Sequence, residues 1–336
     1  MQDLLKTLAA TASANAGLVL LAALLLENTT PLWKIWSRIP HPVAIIGKNI
    51  GRIAENWRKS SENPPAQQKL GWLFITLLAA TAALVGLLAE SLLLALGTVA
   101  AAAAFIVRTL IVATFLSQRE LKYRVSRLFT TLDQNGVAAA RRELHHIAGR
   151  DPDNLDADAL RRAGLESLAE NFSDGTIAPG LWFLFFGLPG LFLYKTVSTA
   201  DSMIGYTQKP WTHFGQGAAR GDDFANWLPA RLSAALLSLS AGRGAVRAWR
   251  VAREDGKKHR SKNAGWPEAA IAAHLGVALG GPRSYFGKQV NDKWLNENGS
   301  PSPAPEHCAR AFTLYDRALG LFRILAAVWA LLYAAL

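Results

Sequence analysis

Residues 70–116, LGWLFITLLAATAALVGLLAESLLLALGTVAAAAAFIVRTLIVATFL, decide the fold. A bilayer's hydrocarbon core takes about 20 apolar residues of helix to cross. The run is too long for one crossing and fits two, with Glu90 and Ser91 marking the expected turn. Toward the N-terminus, TLAATASANAGLVLLAALLL (7–26) is another apolar stretch. It lacks the basic leader and cleavage site of a signal peptide, so 1–27 reads as a first membrane helix. At the other end, ALGLFRILAAVWALLYAAL (318–336) is a further membrane helix, interrupted by Arg323. The sequence predicts an all-α polytopic integral membrane protein. About four to six helices are membrane-embedded, some of them re-entrant or spanning, and helical loops join them in a single domain, 1–336. No strand pattern, internal repeat or low-complexity linker is visible.

The net charge of +11 is clustered. Residues 34–69 hold seven Lys/Arg against two acids, 117–165 nine against seven, and 243–262 eight against two. The positive-inside rule places all three segments in the cytoplasm. Nucleic-acid binding is not expected, because the basic loops lack zinc-finger or RNP-type spacing. The single cysteine, Cys308, excludes an internal disulfide and a cysteine-based metal site.

Within 28–69, residues 41–57 suit an amphipathic helix on the membrane surface, with Ile45, Ile46, Ile50 and Ile53 as its apolar face. The segment 117–165 reads as cytoplasmic helices, with a stop at Gly149, a turn at Asp151-Pro152 and Asp156 as the next N-cap. Residues 176–200 are apolar but broken by Pro179, Pro189 and several glycines, and 224–242 carry Asn226 and Arg231. Either both segments span, or both dip in and return. Irregular backbone at membrane depth is tolerated only beside protein or a water-filled cavity, and an active site would supply such a cavity.

Five short motifs carry candidate chemistry. In ESLAENFSDG (166–175), Glu166, Glu170 and Asp174 recur every four residues, which on a helix stacks repelling carboxylates. The plain alternative is a solvated helix face; a divalent cation such as Mg²⁺ would offset the repulsion, with phosphates and water completing its octahedron. In RGDDFANWLPARL (220–232), Asp222, Asp223 and Asn226 resemble the clusters that hold metal-bound pyrophosphates, against the alternative of a capped interfacial helix. Lys195 and Asp201 flank the polar run of KTVSTADSMIGY (195–206), where an ionisable residue is either functional or snorkelling to the interface. In HRSKNAGWPEAAIAAHLGVALGGP (259–282), Asn263, Gly265 and Pro267 turn into a helix with Glu268 in its first turn. Such an N-terminus can bind an anion, with His259 and Lys262 adding charge. His41 sits rigidly between two prolines in PHPV (40–43). No Walker A loop, GxGxxG, HExxH or GxSxG is present.

ESLAENFSDGTIAP, YKTVSTADSMIGY, ARGDDFANWLPARL and NAGWPEAAIAAHLGVALGGPRSYFG, in that order, resemble the adenosylcobinamide-phosphate synthases of cobalamin biosynthesis, the CbiB/CobD family. PHPVAIIGKNI and the VRTL of 107–110 match as well, so the likeness covers roughly residues 40–290, with the catalytic motifs in 166–290. Two places depart from the family pattern: Glu27 stands without a following Gly-Asp-Pro, and Ser261-Lys262-Asn263 replaces Ser-Pro-Asn. These departures leave open which amino alcohol is used, and a non-catalytic branch of AmpE-like membrane sensors.

The resemblance implies an enzyme of the cytoplasmic membrane with its site facing the cytoplasm. It would join (R)-1-aminopropan-2-ol, or its O-phosphate, to a propionate of adenosylcobyric acid, consuming ATP with Mg²⁺. The corrinoid is substrate and not a fixed cofactor, and other membrane-associated enzymes of the pathway are possible partners. In this reading Glu166, Glu170, Asp174, Asp222 and Asp223 hold Mg²⁺, and Lys195, Arg220 and Arg231 meet phosphate charge. Asp201 takes the ammonium proton, while His41, Asn171, Asn226, Asn263 and Glu268 complete the substrate-binding set. Trp182, Trp211, Trp227 and Trp266 either line the corrinoid pocket or anchor the interface. A metal-dependent membrane enzyme acting on a lipid or isoprenoid phosphate is the remaining alternative.

Overall fold

The computed structural model describes residues 15–36, 38–96, 100–145, 147, 152–206, 208–285 and 288–335. The helix stop at Gly149, the turn residue Asp151 and the part of the first helix before Asn15 lie outside them. The protein is helical almost throughout, and four helical runs are long and apolar enough to cross a membrane: Pro64–Ala95, Ala101–Asn135, Ala157–Ile204 and Pro305–Ala335. It is an all-α polytopic membrane protein. One two-stranded antiparallel hairpin, β1 (Leu279–Tyr285) and β2 (Lys288–Leu295), corrects the expectation of no strand. It was illegible because Gly-Gly-Pro follows the first residue of β1, a poor strand signal.

The described residues pack as two compact units interleaved in sequence: one runs to Leu116 and takes up Ala178–Ala225 and the chain from Ala326, the other comprises Ser117–Ile177 and Asn226–Leu325.

In unit one, α1 (Ala16–Thr29) starts at a buried Asn15, whose side chain accepts from Gly17 and Leu18 N–H and donates to Ala330 O at 2.8 Å. Next, α2 (Pro42–Lys59) buries Gly47, Ile50 and Ala54. Ile45 and Ile53 of the expected apolar face stay half exposed. The long α3 (Pro64–Ala95) runs through Glu90 and Ser91, so the turn expected there comes later, before α4 (Ala101–Phe115). Leu77, Leu84, Leu87, Leu88 and Leu92 of α3 are all exposed. An apolar surface of that size is covered in the folded protein, and lipid covers it here.

The run α8 (Ala178–Ile204) carries the break that its prolines and glycines announce. Gly187 has φ 63° and ψ −151°, which breaks the helix. Across that break the Trp182 and Tyr194 rings stack with centroids 6.4 Å apart. A Cβ placed on Gly190 would sit 2.6 Å from Phe186 Cβ and 3.1 Å from Trp182 C. Straight helix would separate Trp182 from Tyr194 by about 18 Å along its axis. The two arms therefore fold back on each other as a helical hairpin. Gly86 of α3 lets this hairpin approach, since a Cβ there would lie 2.6 Å from Pro189 Cα. After the return arm, α9 (Gln216–Ala225) packs on α8 and α3.

Unit two contains α5 (Gln118–Asn135), α6 (Val137–Leu144), α7 (Ala157–Phe172), a π turn (Ser173–Ile177), α10 (Trp227–Ser240), α11 (Ala245–Asp255) and α12 (Gly265–Leu275). Asp156 caps α7 by accepting from Ala159 N at 2.7 Å, as its sequence position predicts. The β-hairpin and the first part of α13 (Pro305–Ala335) complete the unit. In it α12 packs on α7, α10 and α11.

Candidate functional site

In unit one, the return arm of α8 presents Lys195 and Asp201, and α9 presents Arg220, Asp222 and Asp223. Twenty-two positions separate Asp201 from Asp223 in sequence, and the packing of α9 on α8 brings their helices together. Both acids are half-buried, as are Lys195 and Asp222, while Arg220 is exposed. Trp182 donates its indole N–H to Ala225 O at 3.0 Å and packs, partly buried, with Ala178 and Tyr194. Trp211 packs on Phe214, with the Arg58 guanidinium 5.7 Å from its ring centroid.

His41, taken from the sequence as a substrate contact, is the N-cap of α2. Its Nδ1 accepts from Val43 N at 3.1 Å, and its Nε2 lies 3.2 Å from Thr114 O. The two prolines that make it rigid also place it to cap α2 and tie that helix to α4.

In unit two, the three acids of 166–175 part company. Glu166 is 1% exposed and accepts from Gly280 N at 2.7 Å, where the chain enters the β-hairpin. Glu170 is half-buried one turn later on α7. Asp174 falls in the π turn, whose wider i→i+5 pattern takes it out of the strict i,i+4 row. The even stacking that spacing alone predicts thus holds for Glu166 and Glu170 only. Asn171 donates to Ser167 O one turn back at 3.0 Å.

The Asp222–Asn226 spacing does not lie on one helix either. The chain breaks between α9 and α10, and Asn226, 1% exposed, occupies the N-cap position of α10. One turn into α10 stands Arg231. Its guanidinium carbon lies 4.8 Å from the Trp227 ring centroid and 4.6 Å from that of Trp266. Nη1 donates to Asn263 Oδ1 at 2.7 Å and to Trp227 O at 2.9 Å. Nη2 has a long contact of 3.5 Å to Lys262 O. Two indoles and an asparagine therefore fix the plane of this cation, and a fixed guanidinium plane suits two-pronged recognition of an anion. Burial lowers the proton affinity of Arg231 somewhat, but a guanidinium stays charged.

The turn into α12 forms as the sequence predicts, with Glu268 in its first turn and 2% exposed. His259 Nε2 stands 3.7 Å from the Glu268 carboxylate. Packing of α12 on α7 and α10 gathers Arg231, Asn263 and Glu268 into the unit that also carries Glu166 and Glu170. Sequence reasoning missed Glu90 and Arg108. They form a buried ion pair in unit one, legible only as two charges of opposite sign inside an apolar run.

Mg²⁺ is the metal that the resemblance implies. Among the described residues, no three His, Cys, Asp or Glu side chains converge as a closed metal cage. Asp222 and Asp223, adjacent on α9, are the carboxylates of unit one that could meet an ion which takes one or two carboxylates and fills its other positions with phosphate and water. The donor set therefore fits Mg²⁺ arriving with a nucleotide.

A family profile described as CobD/Cbib protein matches residues 20–315. The cobalamin biosynthesis protein CobD of Brucella suis is 42% identical over 313 residues, covering 90% of this chain and 94% of that protein. The Rhizobium meliloti protein of the same name is 41% identical over 310 residues, covering 90% and 93%. That of Rhodobacter capsulatus is 36% identical over 300 residues, covering 89% and 92%. No solved structure matches the chain. With the profile spanning most of the sequence and these relatives matched nearly end to end, the chain belongs to the CobD/Cbib protein family.

Proposed function

We propose that this protein is an ATP-dependent amide ligase of cobalamin biosynthesis. It joins (R)-1-aminopropan-2-ol, or its O-phosphate, to a propionate carboxylate of adenosylcobyric acid. The names of the relatives support the pathway. The observation that carries the chemistry is the packing of α9, with its adjacent half-buried acids Asp222 and Asp223, on the arm of α8 that carries Lys195 and Asp201. Two neighbouring carboxylates call for a cation, and a nucleotide-bound Mg²⁺ supplies one.

A carboxylate does not react with an amine until its oxygen becomes a leaving group. Transfer of the ATP γ-phosphoryl to the propionate gives an acyl phosphate; amine attack then forms the amide and releases phosphate. Phosphoryl transfer is mostly positioning and charge stabilisation. Bound Mg²⁺ would neutralise phosphate charge; its candidate holders are Asp222 and Asp223 in unit one and, separately, Glu166, Glu170 and Asp174 in unit two. Lys195 and Arg220 would meet phosphate oxygens, and the fixed plane of Arg231 would take an anion two-pronged. Asp201 would accept the proton that the ammonium must lose before attack. Asn171, Asn226, Asn263 and Glu268 would orient the bound groups.

The hairpin reversal bears on membrane orientation. Between the basic segments 34–69 and 117–165 the chain crosses out along α3 and back along α4, and α8 returns on itself. The positive-inside rule supports a cytoplasmic location for the basic segments 34–69, 117–165 and 243–262, at the cell membrane.

The test is isotopic. Detergent-purified protein receives adenosylcobyric acid ¹⁸O-labelled in its free carboxylate, ATP, Mg²⁺ and each amino alcohol in turn. The expected result is amide product with one ¹⁸O in the released phosphate. No product from a folded chain with either amino alcohol would overturn the reading.

A further inference from the structure

Reversing a helix inside a membrane leaves N–H and C=O groups at the turn without helical partners, and no bulk water is there to take them. The hairpin of α8 meets this problem with a charge from a neighbouring helix. Glu90 Oε2 on α3 accepts from Leu188 N, the first N–H of the return arm, at 3.2 Å. A Cβ built on Gly187 would stand 3.2 Å from Glu90 Oε1, so the carboxylate lies directly on the turn. A negative group there also faces the positive end of the return arm's dipole. Glu90 Oε1 in turn accepts from Arg108 Nη2 on α4. Arg108 is 1% exposed, and its guanidinium carbon lies 5.7 Å from the ring centroid of Phe183 on the entering arm. Its Nε and Nη1 meet no protein partner among the described residues, so Glu90 is the carboxylate that compensates this buried cation.

We propose that Glu90 and Arg108 are a positioning pair. Glu90 holds the Gly187 reversal closed, Arg108 supplies the countercharge, and together they fix the return arm that carries Lys195 and Asp201 against α9 and Asp223. The pair acts through the hairpin and touches no reactant. Its consequence for turnover rests on the ligase reading; its consequence for the hairpin does not.

The test compares the full-length protein with Glu90→Gln, Arg108→Gln and the double variant, by hydrogen exchange over residues 183–192 and by ligase kinetics. Each single substitution strands one buried charge, so exchange at the tip should accelerate at least about tenfold and kcat should fall, with KM for ATP little changed. The double variant leaves two neutral amides that can still bond to each other and to Leu188. It should return to within about threefold of the native protein in both readouts. Unchanged exchange in both single variants would overturn the proposal, as would a double variant no better than the worse single. Exchange restored without kcat would also overturn it, placing the pair in the chemistry instead. If a single variant does not fold, a folded double with native exchange upholds the pairing, and a double that also fails refutes it. The expected exchange pattern in a chain that makes no amide would uphold the pair and sink the ligase reading alone.

Discussion

Trp182 and Tyr194 stack with their ring centroids 6.4 Å apart and their planes 17° from parallel. Twelve residues of straight helix would hold them about 18 Å apart. The reversal at Gly187 accounts for the difference and returns Lys195 and Asp201 toward the side from which the hairpin enters. The first prediction concerns that glycine. With φ 63° and ψ −151°, its conformation is one that side-chain-bearing residues rarely adopt. Gly187→Ala should cost about 1–3 kcal/mol, read as a lower melting temperature in detergent. A melting temperature equal to that of the native protein would mean the backbone does not reverse there.

Arg231 is held by two indole faces and Asn263. Lysine keeps the charge but loses the planar fork and much of the stacking. Arg231→Lys should therefore lower kcat/KM about 10- to 100-fold while leaving the melting temperature within a few degrees. Near-native kinetics would show that only the charge at this position matters.

Parts of this architecture were legible in the sequence and parts were not, for identifiable reasons. The apolar run 70–116 has no competing reading, so α3 and α4 could be placed at once. Their turn was misplaced at Glu90 because an acid normally marks the water interface, and nothing in the sequence pairs Glu90 with Arg108, eighteen residues on. Pro189 and its flanking glycines announce a break in 176–200 but carry no direction; the backbone of Gly187 does. The motif acids could be picked out because charge beside an apolar segment is costly. Their partners could not. Glu166 is bound by Gly280 N, 114 positions away, and the helices that carry Asp201 and Asp223 come together only through tertiary packing.

His274 lies on α12, and its proton affinity is lowered by burial first and then by Arg310 and Arg317. The unfolded chain therefore binds this proton more readily than the folded one. Stability from this group is intact above the ordinary histidine range, near pH 6.5, and falls as the pH drops through it. Melting curves from pH 8 to 5.5 should show that decline, and His274→Gln should flatten it. An equal decline in the variant would assign it to other groups.

Glu55 provides the contrast. Hydrogen bonds from Arg58 and Lys59 hold its carboxyl down to about 2. The stabilisation is present above the ordinary glutamate range and is lost as the pH falls toward that value. The pair is at the surface and screened by solvent and salt, so Glu55→Gln should change stability by less than about 1 kcal/mol at pH 7. A larger loss would show that α2 depends on this pair.

The most direct test of the account is the initial rate of amide formation across a Mg²⁺ titration, for the native protein, Asp201→Asn, Asp223→Asn and the double variant. The account predicts a loss of at least about 100-fold in each single variant and a raised Mg²⁺ requirement in Asp223→Asn, with the double little worse than the worse single, as for groups that act as a unit. Native rates and native Mg²⁺ dependence in Asp223→Asn would contradict it, and the acid pair would not be where the chemistry is done.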